Sequence, residues 1–160
     1  MRRIYIAGPD VFYPDAPALA AAKCAACVAQ GFHPLHPIDQ PVLDGPAIYA
    51  RNQALMHEAD AIVANLSPFR GPSADPGTVF EFATLLALGR PAFAYSLAPG
   101  DYFARVAEDG MLVEDFGLPD NLMIACAAPW VILDRPRENA HLWCFERCLE
   151  AAHRHFEALP

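Results

Sequence analysis

The run Ala61-Ile62-Val63-Ala64 carries no polar side chain on either face and reads as a buried strand. The chain then changes character twice. From Ser67 to Gly77 it is rich in Pro, Ser and Gly, and from Thr78 to Leu88 it is an apolar helix closed by Gly89. In an open α/β sheet, ligands bind at the loop that leaves the carboxyl end of a strand. This loop holds Arg70 and Asp75, and the helix behind it holds Glu81 between Phe80 and Phe82. A carboxylate placed there is either a structural cap or a catalytic group.

The same alternation runs through the rest of the chain. Ile4 to Ala7 is a short apolar strand ended by Gly8-Pro9-Asp10. Pro14-Asp15-Ala16 opens an alanine-rich helix, which Asp15 can cap and Gly31 ends. Phe32 to Leu35 is a second strand, held to a short or edge position by Pro34, Pro37 and Pro41. Asp44 to Ala59 is helical, and Pro91 to Ser96 is a further strand. Ala98 to Leu118 is irregular, broken by Pro99-Gly100 and Gly110, and Asn121 to Ala127 gives one or two helical turns. Trp130 to Leu133 is the last strand. Arg137 to Leu159 is an amphipathic helix with Leu142, Phe145, Leu149 and Phe156 on one side.

Strands alternating with helices predict a parallel sheet covered on both faces. Five strands over residues 1–160 predict one α/β domain, a flavodoxin-like doubly wound sheet of order 2-1-3-4-5. The switch point then lies between strands 1 and 3. The loops after Ala7 and after Asn65 face each other across one crevice.

Composition narrows the function classes. Hydrophobic residues make up 54% and charged residues 19% of 160, as in a globular chain. No apolar run reaches the roughly 18 residues that span a bilayer, so no membrane partner is expected. The apolar stretch of MRRIYIAGPD stops at Ala7, too short for a signal peptide, so a cytoplasmic protein is expected. A net charge of −8 leaves no basic face for a nucleic-acid polymer and suits a neutral small molecule. Five cysteines argue against a disulfide framework. Cys24-x-x-Cys27 sits inside the alanine-rich helix. Cys144, Cys148, His141, His153 and His155 on the last helix do not make a zinc spacing. Core and surface positions are expected for them, with no metal. Neither GxGxxG nor GxxxxGK[ST] occurs, and no cofactor is expected.

Glu81 has two readings. Thr78-Val79-Phe80-Glu81 fits a capping box, in which the glutamate reaches back to the first helical N–H, and spacing alone favours this cap. The other reading is a nucleophile or general base, kept ionised by the helix macrodipole and poorly solvated by its phenylalanine neighbours. Asp75, six residues earlier, is either an Asp-Pro-Gly turn residue or a second carboxylate. Two carboxylates in different environments can divide nucleophile and acid between them, as glycosidic chemistry requires. Near the first strand's end, Phe12 can stack on a planar ring while Asp10 and Asn52 hydrogen-bond its edge.

IYIAGPDVFYPDA, DAIVANLSPFRGPSADPGTVFEFA and FGLPDNLM together resemble the nucleoside 2-deoxyribosyltransferases, in the family's order and at similar spacing, over Arg3 to about Met123. The resemblance implies that Glu81 is the nucleophile, that Asp75 assists the leaving base and that Tyr5 orients Glu81. It implies that Asn121 and Met123 reach a neighbouring subunit's site, in a homodimer or larger homo-oligomer. Asn52 stands where many members have an aspartate. The candidate catalytic set is therefore Glu81, Asp75 and Tyr5. The candidate substrate-binding set is Gly8, Asp10, Phe12, Asn52, Ser67, Phe69, Arg70, Gly77, Asn121 and Met123. The implied reaction moves 2-deoxyribose from a 2′-deoxynucleoside to a free nucleobase, through a covalent deoxyribosyl-glutamate and with retention. Two rivals are an N-glycoside hydrolase of nucleosides or their 5′-monophosphates, and a nucleoside-binding module without catalysis. Asp10 would repel a phosphate, whereas Arg70 would attract one.

Overall fold

A computed structural model describes residues 1–37 and 44–159; Pro41 and Pro160 lie outside them. Five parallel strands, β1 (Arg3–Ala7), β2 (His33–Leu35), β3 (Ala61–Asn65), β4 (Ala92–Ser96) and β5 (Trp130–Ile132), form one sheet of order β2-β1-β3-β4-β5. The expected order is thus observed, with β2 at one edge and β3 and β4 buried along their whole length.

Successive side chains of a strand point to opposite faces, and this parity builds two cores. On one face Ile4, Ile6, Val63, Phe93 and Tyr95 pack against α1 (Ala16–Ala29) and α6 (Ala140–Glu157) through Cys27, Cys144, Phe145, Cys148 and Leu149. On the other, Tyr5, Ala7, Ile62, Ala64 and Leu66 pack against α2 (Gly45–Glu58) and α3 (Pro76–Ala87) through Met56, Phe82 and Leu85. Three of the five cysteines are thus core residues, Cys24 is half-buried and Cys126 exposed. Among the described residues no helix is long and apolar enough to cross a membrane.

Several helix ends differ from expectation for local reasons. α3 starts at Pro76, not Thr78, with Asp75 as its cap: Thr78 N–H donates to Asp75 Oδ2 at 2.9 Å. The expected Thr78–Glu81 capping box therefore does not form. Proline suits the first helical position because no N–H is needed there, which shifts the start two residues back and puts Glu81 inside the helix. Asp15 precedes α1 but makes no side-chain cap. Pro17 has no N–H to offer, and Ala18 N–H already donates to the Asp15 carbonyl. Asp44, by contrast, caps α2 through Ala47 N–H at 2.9 Å. In the irregular stretch a single turn forms, α4 (Tyr102–Arg105), and α5 (Leu122–Ala125) follows it. α6 begins at Ala140 after a left-handed Asn139 (φ 52°), while Arg137 lies outside it, stacked 3.9 Å from the Trp143 ring centre.

Leu149 is fully buried where α6 meets the sheet. Leu149→Ala should cost about 2–5 kcal/mol, seen as a lower urea midpoint at unchanged slope.

Candidate active site

Strand parity decides what β1 offers to the crevice. Ile4 and Ile6 face α1 and α6, so Tyr5 faces α2 and α3 and is fully buried there. Its hydroxyl donates to Glu81 Oε1 at 2.6 Å, and Asn52 Nδ2 of α2 donates to the same oxygen at 3.2 Å. Three residues separated widely in sequence thus meet at one carboxylate. Asn52 Oδ1 is buried without a partner among the described residues, a vacancy that costs free energy unless a donor fills it.

Burial pushes the Glu81 carboxyl from its ordinary 4.5 up to about 7. The bonds from Tyr5 and Asn52 favour the ionised form and oppose the rise, while the Asp75 charge adds to it. The expectation that the helix keeps Glu81 ionised is corrected here. Glu81 is the sixth residue of α3, and the macrodipole fades within the first turn, so desolvation wins. Tyr5 is held well above its ordinary range, first by burial and then by the Glu81 charge, so it stays a donor.

Asp75 has a different environment. Its Oδ2 accepts from Thr78 N–H at 2.9 Å and from Thr78 Oγ1 at 3.0 Å. Gly77 lets the chain pass close by, since a Cβ there would lie 3.1 Å from Asp75 Oδ2.

The loops after β1 and β3 carry a second group. Phe12 stacks on Phe69 with ring centres 5.4 Å apart at 16°. The Arg70 guanidinium lies 5.2 Å from the Phe12 ring centre and 4.8 Å from that of Phe69. Among the described residues no carboxylate pairs with Arg70. Its φ of 56° is left-handed, a conformation costing about 1–3 kcal/mol in a non-glycine residue. The loop holds it through a Pro68–Ala74 bridge and a Phe69 N–H to Ser73 O bond of 3.0 Å.

Asp10 and Ser67 are buried. Asn65 Nδ2 donates to Asp10 Oδ1 at 2.7 Å, Lys23 Nζ donates to Oδ2, and His141 Nδ1 lies 3.7 Å from Oδ1. Ser67 Oγ donates to Asn65 Oδ1 at 2.5 Å and accepts from Leu97 N–H at 2.9 Å. Gly8 passes so close that a Cβ would sit 2.8 Å from Asn65 Cβ. Asn121 caps α5 by accepting from Met123 N–H at 3.0 Å, and Met123 is 76% exposed.

Four positioning groups escaped the sequence reading. Asp120 is buried and accepts from Ala74 N–H at 2.9 Å, Asn121 N–H at 2.7 Å and Ser73 Oγ, tying the loop after β3 to α5. Arg105 donates to the backbone carbonyls of Pro72 (3.0 Å), Gly100 (3.2 Å) and Pro119. Lys23 and Asn65 complete the set. Lys23 did leave a signal, as the single charge in the α1 sequence APALAAAKCAACVA.

Comparison with known proteins bears on the family and the fold. A family model described as nucleoside 2-deoxyribosyltransferase matches residues 4–123. A solved 2-desoxiribosyltransferase from Leishmania mexicana is 32% identical, covers 94% of this chain and 98% of its own, and has a TM-score of 0.75. Two more distant structures share the fold. The 2-deoxyribosyltransferase from Bacillus psychrosaccharolyticus is 16% identical with a TM-score of 0.55, covering 88% of this chain and 95% of its own. The CMP N-glycosidase from Clostridium botulinum is 11% identical with a TM-score of 0.57, covering 94% and 99%. A search of curated proteins finds no match.

Because the Glu81 carboxyl lies above its unfolded value, the native state holds the extra proton. That contribution is complete below about 4.5 and is lost as pH rises through about 7. Glu81→Gln removes it. The stability of the variant relative to wild type should therefore rise by roughly 3 kcal/mol between these limits, read from urea midpoints across that pH range.

Proposed function

The chain belongs to the nucleoside 2-deoxyribosyltransferase family, and on that premise we propose that it transfers 2-deoxyribose between nucleobases through a deoxyribosyl–Glu81 intermediate. The observation that carries the proposal is the asymmetry of the Glu81 carboxylate: Tyr5 and Asn52 both bond to Oε1. Oε2 is then the oxygen aimed at C1′ of a bound deoxynucleoside. A pKa of about 7 means that a large fraction is ionised at neutral pH, in surroundings that solvate the charge poorly.

In the first step an Oε2 lone pair forms the bond to C1′. The C1′–N pair leaves with the base, which takes a proton delivered through Asp75 or a water. Thr78 occupies Asp75 Oδ2, so Oδ1 is the oxygen that serves the base. In the second step a nitrogen of the incoming base attacks C1′ and loses its proton by the same route, and Glu81 is released. Two inversions give retention. A 2′-hydroxyl would withdraw electrons from the cationic transition state, which favours 2′-deoxy substrates. No metal or cofactor enters these steps.

The other candidates take supporting roles. The unpartnered Asn52 Oδ1 accepts from a sugar hydroxyl or a base N–H. Phe12 and Phe69 offer an aromatic platform for the base. Gly8 and Gly77 allow close backbone approach. Met123, with Asn121 at its base, projects from the surface towards the site of a second copy in a homodimer or larger assembly.

One observation favours a second reading. The exposed Arg70 guanidinium, without a carboxylate partner among the described residues, suits a 5′-phosphate, and a monophosphate N-glycosidase would use the same Glu81. A single incubation separates the readings. Deoxyinosine with free adenine should yield deoxyadenosine, followed by chromatography. Hypoxanthine with free deoxyribose alone would support hydrolysis instead, and turnover of deoxynucleoside 5′-monophosphates only would favour the phosphate reading. Glu81→Ala should abolish every activity; a folded variant that still turns over would overturn the role of Glu81. kcat/KM should climb as pH rises towards about 7, following Glu81 ionisation.

A further inference from the structure

Phe12 and Phe69 belong to two different loops, one after β1 and one after β3, yet their rings stack with centres 5.4 Å apart. Neither loop is long enough to fold on its own, so their relative placement must come from what lies beneath. A continuous line of buried polar side chains lies there. Lys23 Nζ, fully buried on α1, donates to Asp10 Oδ2 in the loop after β1. Asn65 Nδ2, at the end of β3, donates to Asp10 Oδ1 at 2.7 Å. Asn65 Oδ1 accepts from Ser67 N–H at 3.1 Å and from Ser67 Oγ at 2.5 Å, in the loop after β3. Ser67 Oγ accepts from Leu97 N–H at 2.9 Å, beyond β4. The line therefore crosses from α1 through both loops to β4.

Stability alone gives this arrangement no reason to exist. A buried ion pair is often no better than packed apolar groups of the same volume, because desolvation cancels the attraction. Lys23 Nζ sits 5.5 Å from the Tyr95 ring centre and 5.4 Å from that of Phe145, in a region where leucine or methionine would pack. What the polar line supplies is direction. Asn65 can satisfy both its donor and its acceptor only if Asp10 and Ser67 stand at fixed places on either side of it. The Gly8 backbone, with no room for a Cβ beside Asn65, closes the gap between the loops.

We propose that Lys23 and Asn65 are positioning residues for the nucleobase platform, fixing the Phe12 and Phe69 loops against each other through Asp10 and Ser67. The inference rests on the reading of Phe12 and Phe69 as the surface that meets the base. It differs from the sequence expectation for Asp10 and Ser67, whose polar atoms are turned to each other's anchor instead of to the ligand.

Asn65→Asp tests it with little change in volume. It puts a second carboxylate against Asp10 and repels the loop after β1. The swap Asp10→Asn with Asn65→Asp restores a donor–acceptor pair at unchanged net charge. Amide hydrogen exchange reads loop placement without reference to activity. Asn65→Asp should speed exchange about tenfold or more in 8–13 and 66–71, while 61–64 and 92–95 keep their protection. In base exchange, KM for the acceptor base should rise by a similar factor with kcat changed far less, and the swap should restore both. Lys23→Met should loosen 8–13 in the same way. Should Asn65→Asp not fold, Ser67→Ala, which removes the Oγ bonds to Asn65 and Leu97 and leaves the Ser67 N–H on Asn65, should loosen 66–71 selectively. Wild-type protection in the altered loops, loss of protection in strands and loops in step, or failure of the swap to rescue would each overturn the proposal. An inactive wild type would sink the proposed function, whereas the hydrogen-exchange comparison would still decide whether these residues set the loops.

Discussion

The parallel pairing of β1 with β3 is the constraint from which the site follows. Tyr5 lies opposite Ile62 and Ala7 opposite Ala64, so the two strands end side by side and release their loops at one place. The same register turns Tyr5 towards α2 and α3. A slip of one residue would send Tyr5 to the α1 and α6 face and leave an isoleucine beside Glu81. The bond between Tyr5 and Glu81 is therefore a property of the sheet as much as of the two residues.

Two carboxylates six residues apart end in opposite conditions. Asp75 stands at the start of α3, where unpaired N–H groups need an acceptor, and Thr78 meets it twice. Glu81 lies more than one turn further on, under the sheet, where burial limits its solvation and, among the described residues, Tyr5 and Asn52 donate to it. One group is solvated by backbone and the other is poorly solvated, which separates their tasks without any special residue type.

What the sequence disclosed, and what it withheld, divide along the range of the forces involved. The apolar run at β3, the alternation of strands and helices and the edge position of the proline-bearing β2 are local signals, and the sheet order follows from them. Glu81 stood out because a carboxylate between two phenylalanines is a local oddity. Its cap reading failed on a local detail, Pro76 at the helix start. Asn65, Asp120 and Arg105 were invisible for another reason. Their partners lie 2 to 55, 1 to 47 and 5 to 33 residues away, and an Asn, Asp or Arg in a turn-rich stretch resembles any solvated residue until the fold closes. Lys23 was the intermediate case: its isolation in an alanine-rich helix was legible, but its partner Asp10 was not.

Arg105 ties three loops together, yet each of its partners is a backbone carbonyl. Such an anchor senses the course of the chain and ignores the side chains that decorate it. The side chains of Pro72 and Pro119 are thereby free of any part in that tie. Where the chain is held by such an anchor, its side chains can change one at a time while the frame around them stays put.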